Sequence, residues 1–260
     1  MSATTPATYD LNCEEIGSGA PIVFLHPIAM RLEFWRPVAS LLKDSFRTIL
    51  VDLRGHGANA RPEEAFSLDD LAADVIRLAR ARRLPPAVFV GCSLGGMVAQ
   101  GVAVQAPELV AGLVIANSTH RMSPQGVEVM AQRARQAMSN MIGAVESDLV
   151  RWFSPAFRSA HPETVAEVRE WALANAPHVV ANGWRAIAGL NYEQRLGLVR
   201  QPVLAVTGNL DPASPPETTR AIANAFPNGR YRELADAGHF APIEQPQPFA
   251  DAVRSLAAAV

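Results

Sequence analysis

The sequence predicts an α/β fold: a mostly parallel central sheet with helices on both faces, interrupted by an inserted block that is helical throughout. Three observations carry this expectation. Short apolar runs rich in β-branched residues alternate with longer stretches of helical periodicity, the mark of a parallel sheet covered by crossover helices. Within those runs the apolar character is almost continuous, as in Ala87-Val88-Phe89-Val90, which fits strands buried on both faces. Over residues 120–196 the alternation lapses into helical patterns alone. The expected organisation is a single core, residues 1–119 and 197–260, carrying a helical cap over 120–196 as a lid.

Taken in order, residues 9–16 read as an antiparallel edge strand, closed by the turn Gly17-Ser18-Gly19. Further strands are expected at 21–26, 47–52, 87–92, 109–117, 203–208 and 230–234. Ser67 and Asp70 form a capping box that opens a surface helix over 67–82, with Leu71, Val75, Ile76 and Leu78 along one face. Residues 94–105 are helical in pattern and stop at Pro107. Inside the inserted block, helices are expected over 125–141, 145–153, 162–174 and 179–191, broken at Ser154-Pro155 and Ala176-Pro177. A last helix starts near Gln247.

Composition narrows the function classes. Apolar residues make up 49% and charged residues 18%, enough to bury a large core and too little charge for a disordered chain. The net charge is −2 and the 23 basic residues are scattered, so no stripe points to nucleic acid or an anionic membrane. Residues 1–10 lack a basic stretch followed by an apolar one, and no run of about 18 apolar residues occurs, so a cytoplasmic protein without a membrane partner is expected. Two cysteines, Cys13 and Cys92, are a poor basis for a disulfide framework and are read as reduced thiols.

Gly91-Cys92-Ser93-Leu94-Gly95 matches the pattern G-x-S-x-G, after an apolar strand and before a helix. A sharp strand-to-helix turn crowds the backbone, and Gly91, Gly95 and Gly96 relieve that crowding while Ser93 projects over the sheet. The helix beginning at Leu94 points its N-terminal dipole at the serine, favouring negative charge there. Ser93 is thus the candidate nucleophile, against the alternative that it only caps the helix. Cys92, one residue earlier, faces the other way and reads as core.

A serine hydroxyl needs a hydrogen-bonded base. Of the six histidines, His239 follows the last strand in the loop Ala237-Gly238-His239-Phe240, and loops at the carboxyl ends of strands are where sites in open α/β sheets form. His56 is read as stabilising its own turn and His26 as orienting the loop beside it, while His120, His161 and His178 fall to the surface or the lid. Asp211, in the loop after 203–208, is the candidate acid that orients His239, with Asp236 as its rival. For the oxyanion formed on attack, the N–H of Leu94 is one expected donor. The second is Ile28, because Pro27 has no N–H.

With these residues placed, the chain resembles the α/β-hydrolase superfamily over nearly its whole length, and that fold runs its triad in the order Ser93, Asp211, His239. Within it the sequence resembles the 3-oxoadipate enol-lactonases of aromatic-acid catabolism. That resemblance rests on Gly95-Gly96-Met97-Val98, Ala106-Pro107-Glu108, the stretch from Arg151-Trp152-Phe153 to Arg158, Asp211-Pro212-Ala213-Ser214-Pro215-Pro216 and Glu244-Gln245-Pro246. Pro27 and Leu94 depart from the enol-lactonase pattern. The resemblance implies hydrolysis of a small carboxylated enol-lactone through an acyl-enzyme, with no cofactor and no metal. A carboxylate on the substrate calls for a cationic partner, for which Arg151, Arg121 and Arg185 are candidates, and Trp152 is a candidate pocket wall. Carbon–carbon cleavage of a ring-fission product and a catalytically silent ligand-binding role are the competing expectations.

Overall fold

The structure, a computed structural model, describes residues 10–260. Tyr9, the expected start of the first strand, and all but the last of residues 1–10, read for a targeting signal, lie outside the described residues.

The described residues form one sheet of seven strands: β1 (Cys13–Ile16), β2 (Ala20–Leu25), β3 (Phe46–Val51), β4 (Ala87–Cys92), β5 (Val110–Ala116), β6 (Val203–Gly208) and β7 (Gly229–Leu234). Their order is β1-β3-β2-β4-β5-β6-β7, with β1 antiparallel to β3 at one edge and every other pair parallel. Strands β4 and β6 are buried end to end, and β2 and β5 at all but one position each, as their apolar sequences require. Helices cover both faces. They are α1 (Arg36–Leu42), α2 (Leu68–Ala81), α3 (Leu94–Gln105), α4 (Pro124–Ser139), α5 (Met141–Trp152), α6 (Pro155–Ala160), α7 (Pro162–Leu173), α8 (Pro177–Ala188), α9 (Glu193–Leu196), α10 (Pro216–Ala225), α11 (Ala241–Glu244) and α12 (Pro246–Ala257). Helix α2 packs on α3, and α1 on α12.

The parallel register sets the site. Leu25 lies opposite Gly91, Cys92 opposite Ala116, and Ala116 opposite Val206. The carboxyl ends of β2, β4, β5 and β6 therefore stand side by side, and the residues that follow them converge above the sheet edge.

Several boundaries differ from expectation. β2 ends at Leu25, so His26 opens the following loop, and β5 starts at Val110 because Pro107–Leu109 forms a 3₁₀ turn. The helix expected over 125–141 is cut at Asn140, whose extended backbone (φ −156°) ends α4 while its Oδ1 accepts the Gly143 N–H at 3.0 Å and opens α5. Ser154-Pro155, read as a break, starts α6: Ser154 Oγ accepts the Phe157 N–H at 3.2 Å and Pro155 takes the first helical position. Helices α1, α9, α10 and α11 fall outside the expected helical segments. The capping box at α2 is present in both directions, with Ser67 Oγ accepting from Asp70 N at 3.1 Å and Asp70 Oδ2 from Ser67 N at 2.8 Å.

Helices α4 to α9 all lie between β5 and β6. The chain leaving β5 and the chain returning from α8 run antiparallel, with the Tyr192 N–H donating to His120 O at 3.1 Å and the Met122 N–H to Leu190 O at 3.2 Å. Among the described residues no helix is long and apolar enough to cross a membrane, and both cysteines are free thiols.

Candidate active site

Between β4 and α3, Ser93 takes φ 53° and ψ −116°, a conformation that L-residues rarely adopt and that surrounding structure must enforce. Its N–H donates to Ala116 O at 2.9 Å, and its carbonyl accepts from Met97 N at 3.1 Å and Ser118 Oγ at 2.8 Å. The side chain makes no capping hydrogen bond to α3, so the hydroxyl is not consumed as a cap. A Cβ on Gly91 would overlap the backbone of Gly95, and one on Gly95 would overlap the Leu25 carbonyl oxygen. The turn closes only because both positions are glycine.

His239 Nδ1 lies 2.9 Å from Asp211 Oδ2, so the ring donates there and keeps Nε2 for other chemistry. Asp211 sits just past β6 and is 3% exposed, and its Oδ1 accepts the Ala213 N–H at 2.7 Å and the Ser214 N–H at 3.0 Å. Burial pushes this carboxyl up, but His239, Asn117 and the Ser214 N–H outweigh it and hold the acid below the usual carboxylate range. Asp236 is exposed and has φ 56°, at the bend that turns β7 into the His239 loop.

Asn117 was not foreseen. It follows β5 with φ 46°, and its Nδ2 donates to Asp211 Oδ2 at 2.9 Å and lies 3.3 Å from Gly238 O. Its place at a strand's carboxyl end was the available signal. Cys92 is fully buried, its Sγ 3.7 Å from His239 O, and burial, then Asp211, pushes its thiol pKa well up.

The loop after β2 is held by two buried imidazoles whose rings lie 5.2 Å apart. His26 Nε2 accepts the Leu53 N–H at 2.9 Å, which leaves Nδ1–H to donate to Pro27 O at 2.7 Å. His56 Nε2 accepts the Ala29 N–H at 3.2 Å while Nδ1–H donates to Arg54 O at 2.9 Å. His56 therefore fixes its own turn, as expected, and also the loop carrying Ile28. Among the described residues neither the Ile28 nor the Leu94 N–H has an acceptor.

Ser93 and His239 line one cavity of about 610 Å³ together with Ile28, Met97, Trp152 and Trp184. Trp152 is buried and stacks on Phe240 at 4.8 Å, so it is both packing and cavity wall. Arg151 lines the cavity and donates to Asp148 at 3.1 Å, an acid it shares with Arg133. Burial, then repulsion from Arg133, lowers the Arg151 pKa. Arg121 lines the cavity too but is well exposed and paired with Glu193 at 2.9 Å. Arg185 stays outside: it is exposed and bonded to Asn182 at 2.8 Å, because α8 turns Trp184 and Ile187 inward and leaves residue 185 about 100° around the axis. His120, expected on the surface or lid, is 6% exposed and stands on the cavity wall. Among the described residues no group of three or more His, Cys, Asp and Glu could hold a metal ion.

Residues 20–246 match the sequence profile of the α/β hydrolase fold. The chain is 27% identical to 3-oxoadipate enol-lactonase 2 of Acinetobacter baylyi over 236 residues, covering 90% of this chain and 87% of that one. Among solved structures it resembles the enol-lactonase from Burkholderia xenovorans, with a TM-score of 0.90, 26% identity and coverage of 95% and 96%. It equally resembles a thermophilic esterase from Thermogutta terrifontis in its malate-bound form, with a TM-score of 0.90, 28% identity and coverage of 97% and 94%.

Proposed function

The chain belongs to the α/β-hydrolase fold family, and we propose that it is a serine hydrolase of small carboxylated esters or lactones, acting as a 3-oxoadipate enol-lactonase-like enzyme. The observation that carries this reading is the Asp211–His239 contact of 2.9 Å on the same cavity as a strained, uncapped Ser93. In this reading Ser93 Oγ attacks the carbonyl carbon while His239 Nε2 takes its proton. The N–H groups of Ile28 and Leu94 stabilise the oxyanion. Collapse breaks the acyl–oxygen bond, and His239 returns the proton to the departing oxygen, which for an enol-lactone gives an enol that rearranges to the ketone. Water, activated by His239, then releases the acyl group from Ser93.

Residues 120–196 act as a cap over this chemistry, supported by the run of helices α4 to α9 between β5 and β6. Arg151 and Arg121 supply positive charge on the cavity wall for a substrate carboxylate. The relatives named as enol-lactonases, and an esterase with a small dicarboxylate bound, support that substrate class. The two free thiols suit a reducing cytoplasm.

A fluorophosphonate probe is expected to label the wild type and not Ser93→Ala, and Ser93→Ala is expected to lose at least about 10⁴-fold in kcat. Loss of the absorbance of an enol-lactone made from muconolactone tests the substrate class. Turnover of a ring-fission dienoate in preference to that lactone would replace the reading with carbon–carbon hydrolysis. An unlabelled, inactive protein would indicate a binding role.

A further inference from the structure

Phe240 N–H donates to Trp152 O at 2.8 Å, which joins the end of α5 to the loop bearing His239. Beside this contact stands Glu244, the half-buried last residue of α11. Its Oε1 accepts the Gly238 N–H at 2.9 Å and the Ser154 N–H at 3.1 Å, while Oε2 lies 3.3 Å from Ser154 N. One carboxylate thus holds two backbone amides that are far apart in sequence, one just before His239 and one at the N-cap of α6. The carbonyl of Gly238, in the next peptide unit, is also engaged, since Gly238 O lies 3.3 Å from Asn117 Nδ2, the group that donates to Asp211. A Cβ at Gly238 would sit 2.8 Å from Glu244 Oε1 and 2.9 Å from Ser154 N, so the three segments close around a position with no room for a side chain. Burial raises the Glu244 pKa, yet among the described residues its oxygens meet two N–H donors and no cation.

We infer that Glu244 is a positioning residue that ties the helical segment beginning at Ser154 to the Gly238–His239 peptide, so that the imidazole and the cavity wall at Trp152 are set by one carboxylate. This rests on the proposed role of His239 as the base. Misplacing a catalytic group by about 1 Å can cost on the order of 10²-fold in rate, so a side chain that touches no substrate can still govern kcat. Glutamine keeps an acceptor oxygen and removes the charge, whereas alanine removes both amide partners.

The test is hydrolysis of p-nitrophenyl acetate by the full chain. Glu244→Ala is expected to lower kcat about tenfold or more with a smaller change in KM, and Glu244→Gln to recover most of that loss. A Glu244→Ala enzyme with wild-type kcat and only a lower melting temperature overturns the inference, as does a Glu244→Gln enzyme no better than alanine. If Glu244→Ala does not fold, Ser154 carries the test. Its φ of −61° and the extended Phe153 before it both suit proline, so Ser154→Pro removes the N–H and the Oγ cap, while Ser154→Ala removes the cap alone. A kcat lower in Ser154→Pro than in Ser154→Ala supports the inference, and equal values overturn it. Ser93→Ala is measured alongside. If it hydrolyses the ester as the wild type does, the serine reading fails whatever Glu244 does, whereas an inactive Ser93→Ala with a fast Glu244→Ala removes the clamp alone.

Discussion

Asn117 and His239 approach the same carboxylate oxygen, Asp211 Oδ2, both at 2.9 Å. That oxygen is fixed from two sides, and the ring it faces is held in the tautomer with Nδ1–H. Asp211→Asn would present an amide able to donate where an acceptor is needed. It is expected to lower kcat by about 10³- to 10⁴-fold while leaving the fold intact, the range known for the equivalent change in a serine protease, as followed by steady-state kinetics and circular dichroism. Asn117→Ala leaves the two backbone donors on Oδ1, so its loss should be smaller, about tenfold in kcat, and read in the same assay. Ser93, Asp211 and His239 are the sequence's candidates because each lies just past a strand, the buried apolar β4 and β6 before Ser93 and Asp211 and the more polar β7 before His239, and because Ser93 sits in a five-residue motif. Asn117 could not be assigned a partner that way, since its contact exists only because Ala116 of β5 lies beside Val206 of β6. Arg185 shows a related limit: its charge is visible in the sequence, whereas the helical phase that turns it away from the cavity is not.

At the scale of elements, β2, β4, β5 and β6 are legible to within a few residues because burial on both faces writes them as nearly continuous apolar runs, whereas the edge strands β1 and β7 carry Glu14, Glu15, Arg230, Arg232 and Glu233. The helices were read less well, and proline is the reason. Pro124, Pro155, Pro162, Pro177, Pro216 and Pro246 each open a helix, where a missing N–H costs nothing. Read only as breakers, such prolines hide α6 and α10. Asn140 hides the α4–α5 boundary in the same way, a polar cap inside an unbroken helical pattern. Capping also gives a clean stability prediction. Ser67→Ala at the start of α2 removes the acceptor for Asp70 N and is expected to cost about 1 kcal/mol in urea unfolding, with hydrolytic activity unchanged. Glycine at the elbow behaves differently, since Gly95→Ala would drive a methyl into the Leu25 carbonyl. It should lose soluble folded protein outright, as followed by yield and melting temperature.

Across the whole molecule, the loop after β2 and the loop after β3 are locked together by His26 and His56, each accepting a backbone N–H from the other loop. Both rings must stay neutral at Nε2 to accept, and neither has solvent exposure. Burial, then repulsion from His26, drives the His56 pKa down to about 3, and burial lowers that of His26 as well. Unfolded histidine titrates near 6.5, so between that value and 3 the unfolded chain binds a proton at His56 that the folded chain refuses. The stability from this group is present in full above pH about 6.5 and is lost as pH falls below it, by up to about 1.4 kcal/mol per pH unit. Acids held low in the fold, such as Asp211, enter only below about pH 5, where unfolded carboxylates begin to protonate. Glu244, whose pKa burial raises, acts in the opposite sense. The window from pH 6.5 to 5 is where the unfolded chain takes up protons that the buried His26 and His56 refuse. Urea midpoints measured across that window should fall steadily for the wild type. His56→Gln, which can still accept from Ala29 N but cannot take up a proton, should show a shallower slope. An equal slope in the two proteins would place the pH dependence elsewhere in the molecule.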